Sequence, residues 1–326
     1  MLNESTKSLP SQGAIPAASR PTVSILCVTR NRCDLLAKCL RSCLDQNLEN
    51  VELVIIDNAS TDHTAEVIRR EFPHAKVIRT HRNIGFFPAL NLAIANALGE
   101  FLMTVDDDAF FQQPDALSRI VAAFRTDPTL GGVTCNIEGP REAPPTPVDR
   151  YVHTYKTGFA MLPSRVFTEW VGYYPDAFFR SGGESYVASA LWDQGRPFVQ
   201  LSDVSIYHAQ SLQSRSSWDW SFYGTRSQIL VTLMRDPWCV IPLRLMGKFL
   251  RGFQHSIRRG QFFAWAAAWS NVWLYLPYAW RLRRPVRFET YRRLKRLQRP
   301  TRCVESGQMS TQWPSPTSSR GIRSER

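Results

Sequence analysis

Four short apolar runs, each closing on a polar residue and each followed by a helical pattern, constrain this chain more than any other feature. Residues 22–29, TVSILCVT, end at Thr29 and Arg30 and lead into a helix predicted over 34–44. VELVIID ends at Asp57 and passes through Asn58, Ala59, Ser60, Thr61 and Asp62 into a helix reaching Arg70. KVIRT ends at Thr80 and is followed by His81, Arg82, Asn83, Ile84, Gly85 and a helix through Leu98. The fourth run, FLMTVDDDAFF, breaks off in Asp106, Asp107 and Asp108. Strands alternating with helices predict an α/β fold whose parallel sheet is wound by right-handed crossovers.

In open α/β sheets ligands bind outside the carboxyl ends of the strands, so Thr29, Asp57, Asn83 and the three aspartates converge on one crevice. A carboxylate such as Asp57 can accept from a base N–H or a ribose hydroxyl, and Arg30 and Arg82 can meet phosphate oxygens. Three adjacent carboxylates repel one another, and a fold that gathers them supplies a cation; oxygen ligands suit Mg2+ or Mn2+. Each residue also has an ordinary reading. Asp57, Asn58 and Asp62 can serve turns and helix N-caps, and the aspartates can be a solvated turn. The first strand-to-helix turn, TRNRCD, lacks the glycines of a dinucleotide fingerprint, and there is no P-loop.

Charge separates the chain into two parts. Residues 244–302 hold 15 Lys or Arg against the single acid Glu289, a local +14 that leaves −2 for the remainder of the net +12. Nucleic acid is thereby excluded as a partner of the front two-thirds. Residues 262–280 carry no charge, and Trp265, Trp269, Trp273, Leu276 and Trp280 fall within about 80° of one another at 100° per residue. Nineteen uncharged residues meet the minimum length of a membrane span, but such a stripe fits better an interfacial helix at a membrane surface, or packing against the domain or a second copy in a homodimer. Residues 1–20 lack a basic start followed by an apolar core, which predicts a cytoplasmic protein with a disordered leader. Residues 303–326 are Ser-, Pro-, Thr- and Gly-rich and predicted disordered. The cysteines, with Cys39 and Cys43 on one helical face, read as core thiols rather than a zinc site through Cys33, Cys39 and Cys43.

In the second half, residues 131–137 (GGVTCNI) predict a strand, and the proline-rich 138–150 a loop beside the site. FAMLPSRVF reads as a strand and the start of a helix. Ser181, Gly182 and Gly183 precede Glu184, which they would present at a helix N-terminus.

With these segments in hand, the sequence resembles the family-2 glycosyltransferases, in particular their non-processive, rhamnosyltransferase-like branch. SILCVTRNR, LVIIDNASTD, RNIGFFPALNLAIANALGEFLMTVDDDA, TGFAMLPSRVF, FFRSGGESYVASALWDQG and VSIYHAQS carry the likeness. The resemblance implies a GT-A fold over 21–235, a mixed, mostly parallel sheet flanked by helices, followed by a basic, Trp-rich helical extension over 236–302. It implies that Thr29, Arg30, Asp57, Asn58, Arg82, Asn83, Asp106 and Asp107 bind a nucleotide-diphosphate sugar, and that Asp106 to Asp108 are the DxD motif. A metal held by Asp108 and Asp106, with His208 beside it, would bridge the diphosphate. Counting back twelve residues from Gly195 puts Gly183 and Glu184 where relatives carry a Glu-Asp pair, which makes Glu184 the catalytic base of an inverting transfer to a glycan or lipid-linked acceptor. The pair is reduced to one acid here, Tyr186 and Ala190 replace a later acid and arginine, and in YGTR serine follows Arg226 where asparagine is usual. No QxxRW follows, which disfavours a processive synthase. A nucleotidyltransferase, or a nucleotide-sugar-binding protein without turnover, stays open as an alternative.

Overall fold

The computed structural model describes residues 20–210 and 216–298. The leader expected over 1–20, save Arg20, and the tail expected over 303–326 lie outside the described residues.

The first half builds as its pattern dictates. β1 (Val23–Thr29), α1 (Cys33–Leu44), β2 (Val51–Asp57), α2 (Thr64–Glu71), β3 (Lys76–Arg79), α3 (Phe86–Asn96) and β4 (Phe101–Asp106) alternate strictly. β1 lies between β2 and β4, β3 follows on β2, and all four strands are parallel. β1, β2 and β4 are covered on both faces, so their apolar residues run continuously instead of alternating. α2 starts at Thr64 rather than at Asp62, because Asp62 Oδ1 accepts from the Thr64 N–H and forms a turn ahead of the helix. α3 stops at Asn96, two residues short of the expected Leu98.

The second half turns the sheet mixed. β5 (Ala109–Phe111), α4 (Ala116–Thr126), β6 (Gly132–Glu138), β7 (Arg150–Val152), β8 (Phe159–Pro163), α5 (Gly183–Asp193) and β9 (Phe198–His208) give the order β3-β2-β1-β4-β8-β6-β9-β5, with β7 also on β9. β8 is antiparallel to both β4 and β6, whereas β6 and β9 are parallel. After β8 the chain makes one π-type turn, Val166–Trp170, where a regular helix was expected.

One buried cluster fills the sheet face under α1, α2 and α4 around Leu36, Leu40, Ile120 and Phe159. The other fills the opposite face around Phe87, Tyr174, Phe178 and Leu191. That second cluster continues into α6 (Ser217–Arg235) and α8 (Phe262–Arg281) through Ile229, Leu230, Val272 and Ala279. α7 (Ile241–Arg258) packs beside them and α9 (Phe288–Leu297) lies against α5. The basic extension is therefore built onto the helical layer of the sheet.

The tryptophan stripe of α8 does not act as one face. Trp265 is buried with Ala264, Ala268, Val272 and Ala279, whereas Trp273 and Trp280 are 73% and 65% exposed. The inward arc is centred on the small residues, and a spread of about 80° carries the last two tryptophans over its edge. Among the described residues no helix is long and apolar enough to cross a membrane.

Candidate active site

Strand register places the polar ends together. Thr29 lies opposite Asp57, Val28 opposite Asp106, and Asp57 opposite Arg79, all at the carboxyl edge of the parallel strands. Asp57 is fully buried; its Oδ1 accepts from the Ser60 N–H at 2.8 Å and its Oδ2 lies 3.3 Å from Arg79 Nε. Beside it is a cleft of about 380 Å³ lined by Ala59, Ser60, Thr61, Arg79, Thr80 and His81. Ala59 holds φ +62°, a left-handed conformation that costs a side chain about 1–2 kcal/mol. Asn58 donates to Asn83 Oδ1 and the Gly85 carbonyl and accepts from the Ile84 N–H. Asn83 in turn accepts from the Gly85 N–H. The two asparagines thus shape the loop that forms one wall.

The three aspartates have separate environments. Asp107 accepts from the Thr29 hydroxyl at 2.9 Å and from Arg32 Nη1 at 2.6 Å. The same guanidinium nitrogen lies 3.2 Å from Asp108 Oδ2. Arg32 therefore supplies a cation to the cluster from within the chain, which relieves part of the repulsion that the sequence alone assigns to a metal. Burial still pushes the Asp107 carboxyl above its usual range, although Arg32 pulls it down. Asp108 is fully buried, with Oδ1 3.3 Å from His208 Nε2 at the end of β9. Among the described residues Asp106, Asp108 and His208 form the one group with metal-ligating geometry, each offering an atom within 4.8 Å of the others. Both His208 ring nitrogens are buried and neither makes a hydrogen bond. Burial opposes charge on the ring, but the carboxylates of Asp108, Asp106 and Glu142 outweigh it and hold the imidazole above its usual pKa. Two carboxylates and an imidazole fit Mg2+ or Mn2+.

Two loops close over this group. Glu142, from the proline-rich segment, bonds Lys156 and Gln210, and its Oε1 comes within 3.6 Å of His208 Nδ1. Gly158 holds φ +92°, and a Cβ there would lie 2.4 Å from Asp106 Cγ. The residue before it, Thr157, donates its hydroxyl to Glu184 Oε1 at 2.7 Å.

Glu184 stands in the first turn of α5, whose N-cap Gly182 has φ +97°. Gly183 abuts the Phe87 ring, where a Cβ would come within 2.4 Å. Burial pushes the Glu184 carboxyl above its usual range, against hydrogen bonds from Thr157 and the helix N-terminus. Upstream, Phe179 stacks on Tyr223 at 4.4 Å, and Arg180 lies over the Trp220 ring at 4.9 Å. Trp218 and Trp220, in the first turn of α6, are nearly half exposed.

The arginines that pair with the site carboxylates are not the two singled out in the sequence. Arg30 and Arg82 are exposed and pair with no side chain among the described residues, while Arg32 and Arg79 reach the carboxylates. Arg226 is buried and bonds Asn271 and the Ala177 carbonyl, so it ties α6 to α8 and to the loop before α5. Thr157, Gly158 and Glu142 were not singled out, because only tertiary contacts reveal them. Cys39 and Cys43 are buried core thiols while Cys33 is partly exposed.

Comparison with known proteins bears on the fold and the family. Residues 24–180 match the model of the family described as glycosyl transferase family 2. Chondroitin synthase of Escherichia coli is 30% identical over 115 residues, covering 35% of this chain and only 17% of that protein. A mannosyltransferase from Pyrobaculum calidifontis, solved with GDP-Man and Mn2+, superposes with a TM-score of 0.53 at 20% identity over 85% of this chain and 86% of that one. Staphylococcus aureus TarS 1–349 in complex with UDP-GlcNAc gives 0.57 at 17% identity over 76% and 79%. At such identities the likeness is one of fold, and the fold is GT-A.

Proposed function

Because residues 24–180 match the glycosyl transferase family 2 model, we propose that this chain transfers a sugar from a nucleotide-diphosphate sugar to a hydroxyl of a glycan or lipid-linked acceptor, with inversion at the anomeric carbon. The observation that carries the reading is the turn at Thr157 and Gly158. It joins a basic carboxylate, Glu184, to the Asp106, Asp108 and His208 group within one site.

Each residue then has a task. The cleft beside Asp57 takes the nucleoside, with the Asp57 carboxylate as acceptor and Arg79 in its wall. Asp107 is a positioning residue, locked by Thr29 and Arg32 so that Asp108 presents Oδ1 toward His208. Asp106, Asp108 and His208 would hold Mg2+ or Mn2+, which when bound neutralises charge on the departing diphosphate. Glu184 takes the acceptor hydroxyl proton as that oxygen bonds to the anomeric carbon from the face opposite the phosphate. The carbon–oxygen bond to the phosphate breaks with its electron pair on the nucleoside diphosphate. A raised carboxyl pKa suits this role, since a general base works best poised near the operating pH. The aromatic faces of Trp218 and Trp220 next to Arg180 suit the acceptor, because pyranose rings stack on such faces.

Assay of a panel of UDP- and GDP-sugars with Mn2+ and oligosaccharide acceptors tests the reading. Release of nucleoside diphosphate with the anomeric configuration inverted in the product is expected. Pyrophosphate release would instead indicate nucleotidyl transfer, and tight donor binding with no turnover a binding protein.

A further inference from the structure

The exposed apolar surface of the described chain is concentrated in one hairpin. Eleven of the eighteen large hydrophobic residues exposed among the described residues lie between Trp238 and Trp280. On α7, Leu243, Met246, Leu250, Phe253 and Ile257 recur at intervals of three and four residues and are between 41% and 79% exposed. They span about 80° of the helix, facing away from the buried Ile241. Phe249, on the border of this arc, packs its ring on Trp265 and Trp269, so α7 and α8 run antiparallel with their side-by-side contact already used. Aromatic residues mark both ends of the outer face. Trp238 meets Trp280 at 4.9 Å at one end, and Phe253 meets Phe262 at 6.1 Å at the other.

Next to the apolar arc runs a cationic one. Arg251 and Arg258 follow it around the helix, and Arg259 extends it. The described residues give none of these three a carboxylate partner, unlike Arg244, which pairs with Asp236 at 3.1 Å. With Glu289 the single acid of residues 244–302, a second copy seated here would bring two cationic borders together with almost nothing to offset them. An anionic bilayer complements both arcs: acyl chains receive the Leu, Met, Phe and Ile side chains while headgroups meet the guanidinium groups.

We propose that the outer face of α7, bordered by the Trp238–Trp280 and Phe253–Phe262 pairs, is a membrane-docking surface for anionic lipid, lying in the interface plane. This face differs from the tryptophan stripe of α8, whose inner half is buried against α6. The surface stands independently of the reaction assigned above.

Co-sedimentation of the full chain with phosphatidylcholine vesicles, with and without phosphatidylglycerol, tests it. Binding is expected only with the anionic lipid, falling about tenfold or more in high salt. Met246→Glu combined with Leu250→Glu should abolish it without changing the melting temperature, both positions being solvent-exposed. Arg251→Gln with Arg258→Gln and Arg259→Gln should weaken it and make what remains less steeply dependent on salt. Binding that survives the Met246 and Leu250 changes overturns the proposal, as does equal binding to neutral vesicles. Absence of vesicle binding, together with a dimer in light scattering that the same double variant dissociates, overturns it in favour of a second copy.

Discussion

Thr157 and Gly158, adjacent in the chain, govern two different carboxylates: the Thr157 hydroxyl donates to Glu184, and the side-chain-free Cα of Gly158 makes room for Asp106. The proposed base and the proposed metal site therefore share one turn. A shift in that turn displaces both.

Gly158→Ala tests the dependence on this turn. The added methyl meets the Asp106 carboxylate, and the φ of +92° is strained for any L side chain. A stability loss of about 1–3 kcal/mol is expected, with loss of Mn2+-dependent donor binding. Thermal melting and calorimetry of a nucleotide sugar with and without Mn2+ measure the two effects. Unchanged Mn2+-dependent affinity would count against the placement of Asp106 in the metal group.

Glu184→Gln should retain donor binding and lose transfer by about 10²- to 10⁴-fold. The wild-type rate should rise with pH through a pKa above the ordinary glutamate value of about 4.3, since burial raises it and the base must be unprotonated. Stability runs the other way. A carboxyl whose pKa is higher folded than unfolded favours the fold while protonated, and that contribution is lost as pH rises from the unfolded value through the folded one. The Gln variant should lack this fall between the two values. Denaturation at several pH values, in parallel with pH–rate profiles, checks both signs.

Arg32→Ala leaves Asp107 and Asp108 buried without their guanidinium. Removing one partner of a largely buried ion pair costs about 3–5 kcal/mol, enough to endanger the fold at ordinary temperatures. Arg32→Lys should recover only part of it, because a single ammonium replaces a planar group of donors. Chemical denaturation of the three proteins would show a loss below 1 kcal/mol if the pairing were unimportant.

Trp218→Ala and Trp220→Ala should raise the acceptor KM several-fold while donor KM stays unchanged, with Phe at either position restoring most of the affinity. Aromatic stacking survives the change to Phe, whereas a lost hydrogen bond would not. Equal effects on donor and acceptor constants would remove these residues from the acceptor side.

What could be read from the sequence follows the range of the interactions involved. β1 to β4, their helices and the aspartate cluster depend on local periodicity and strand-end chemistry, and they are where the pattern put them. The place of Glu184 at a helix N-terminus was legible through Gly182 and Gly183, whose conformation is a local demand. Arg32 was passed over for Arg30 because two residues of turn geometry, including Asn31 at φ +54°, decide which side chain points inward. Glu142, Thr157 and Gly158 reach the site from loops whose path no periodicity encodes. The split of the α8 stripe came from its partner, α6, whose close approach selects the face bearing Ala264, Ala268 and Ala279.

The Asp106, Asp108 and His208 group also has an order in time. His208 follows Asp108 by a hundred residues, about 5–20 s of synthesis. Through that interval the acidic triad exists without its imidazole, and β9, the strand that carries it, is still missing from β5, β6 and β7. Arg32 has already been made by then. The guanidinium is thus the counter-ion available to the nascent sheet, and the imidazole completes the ligand set only when the last strand docks.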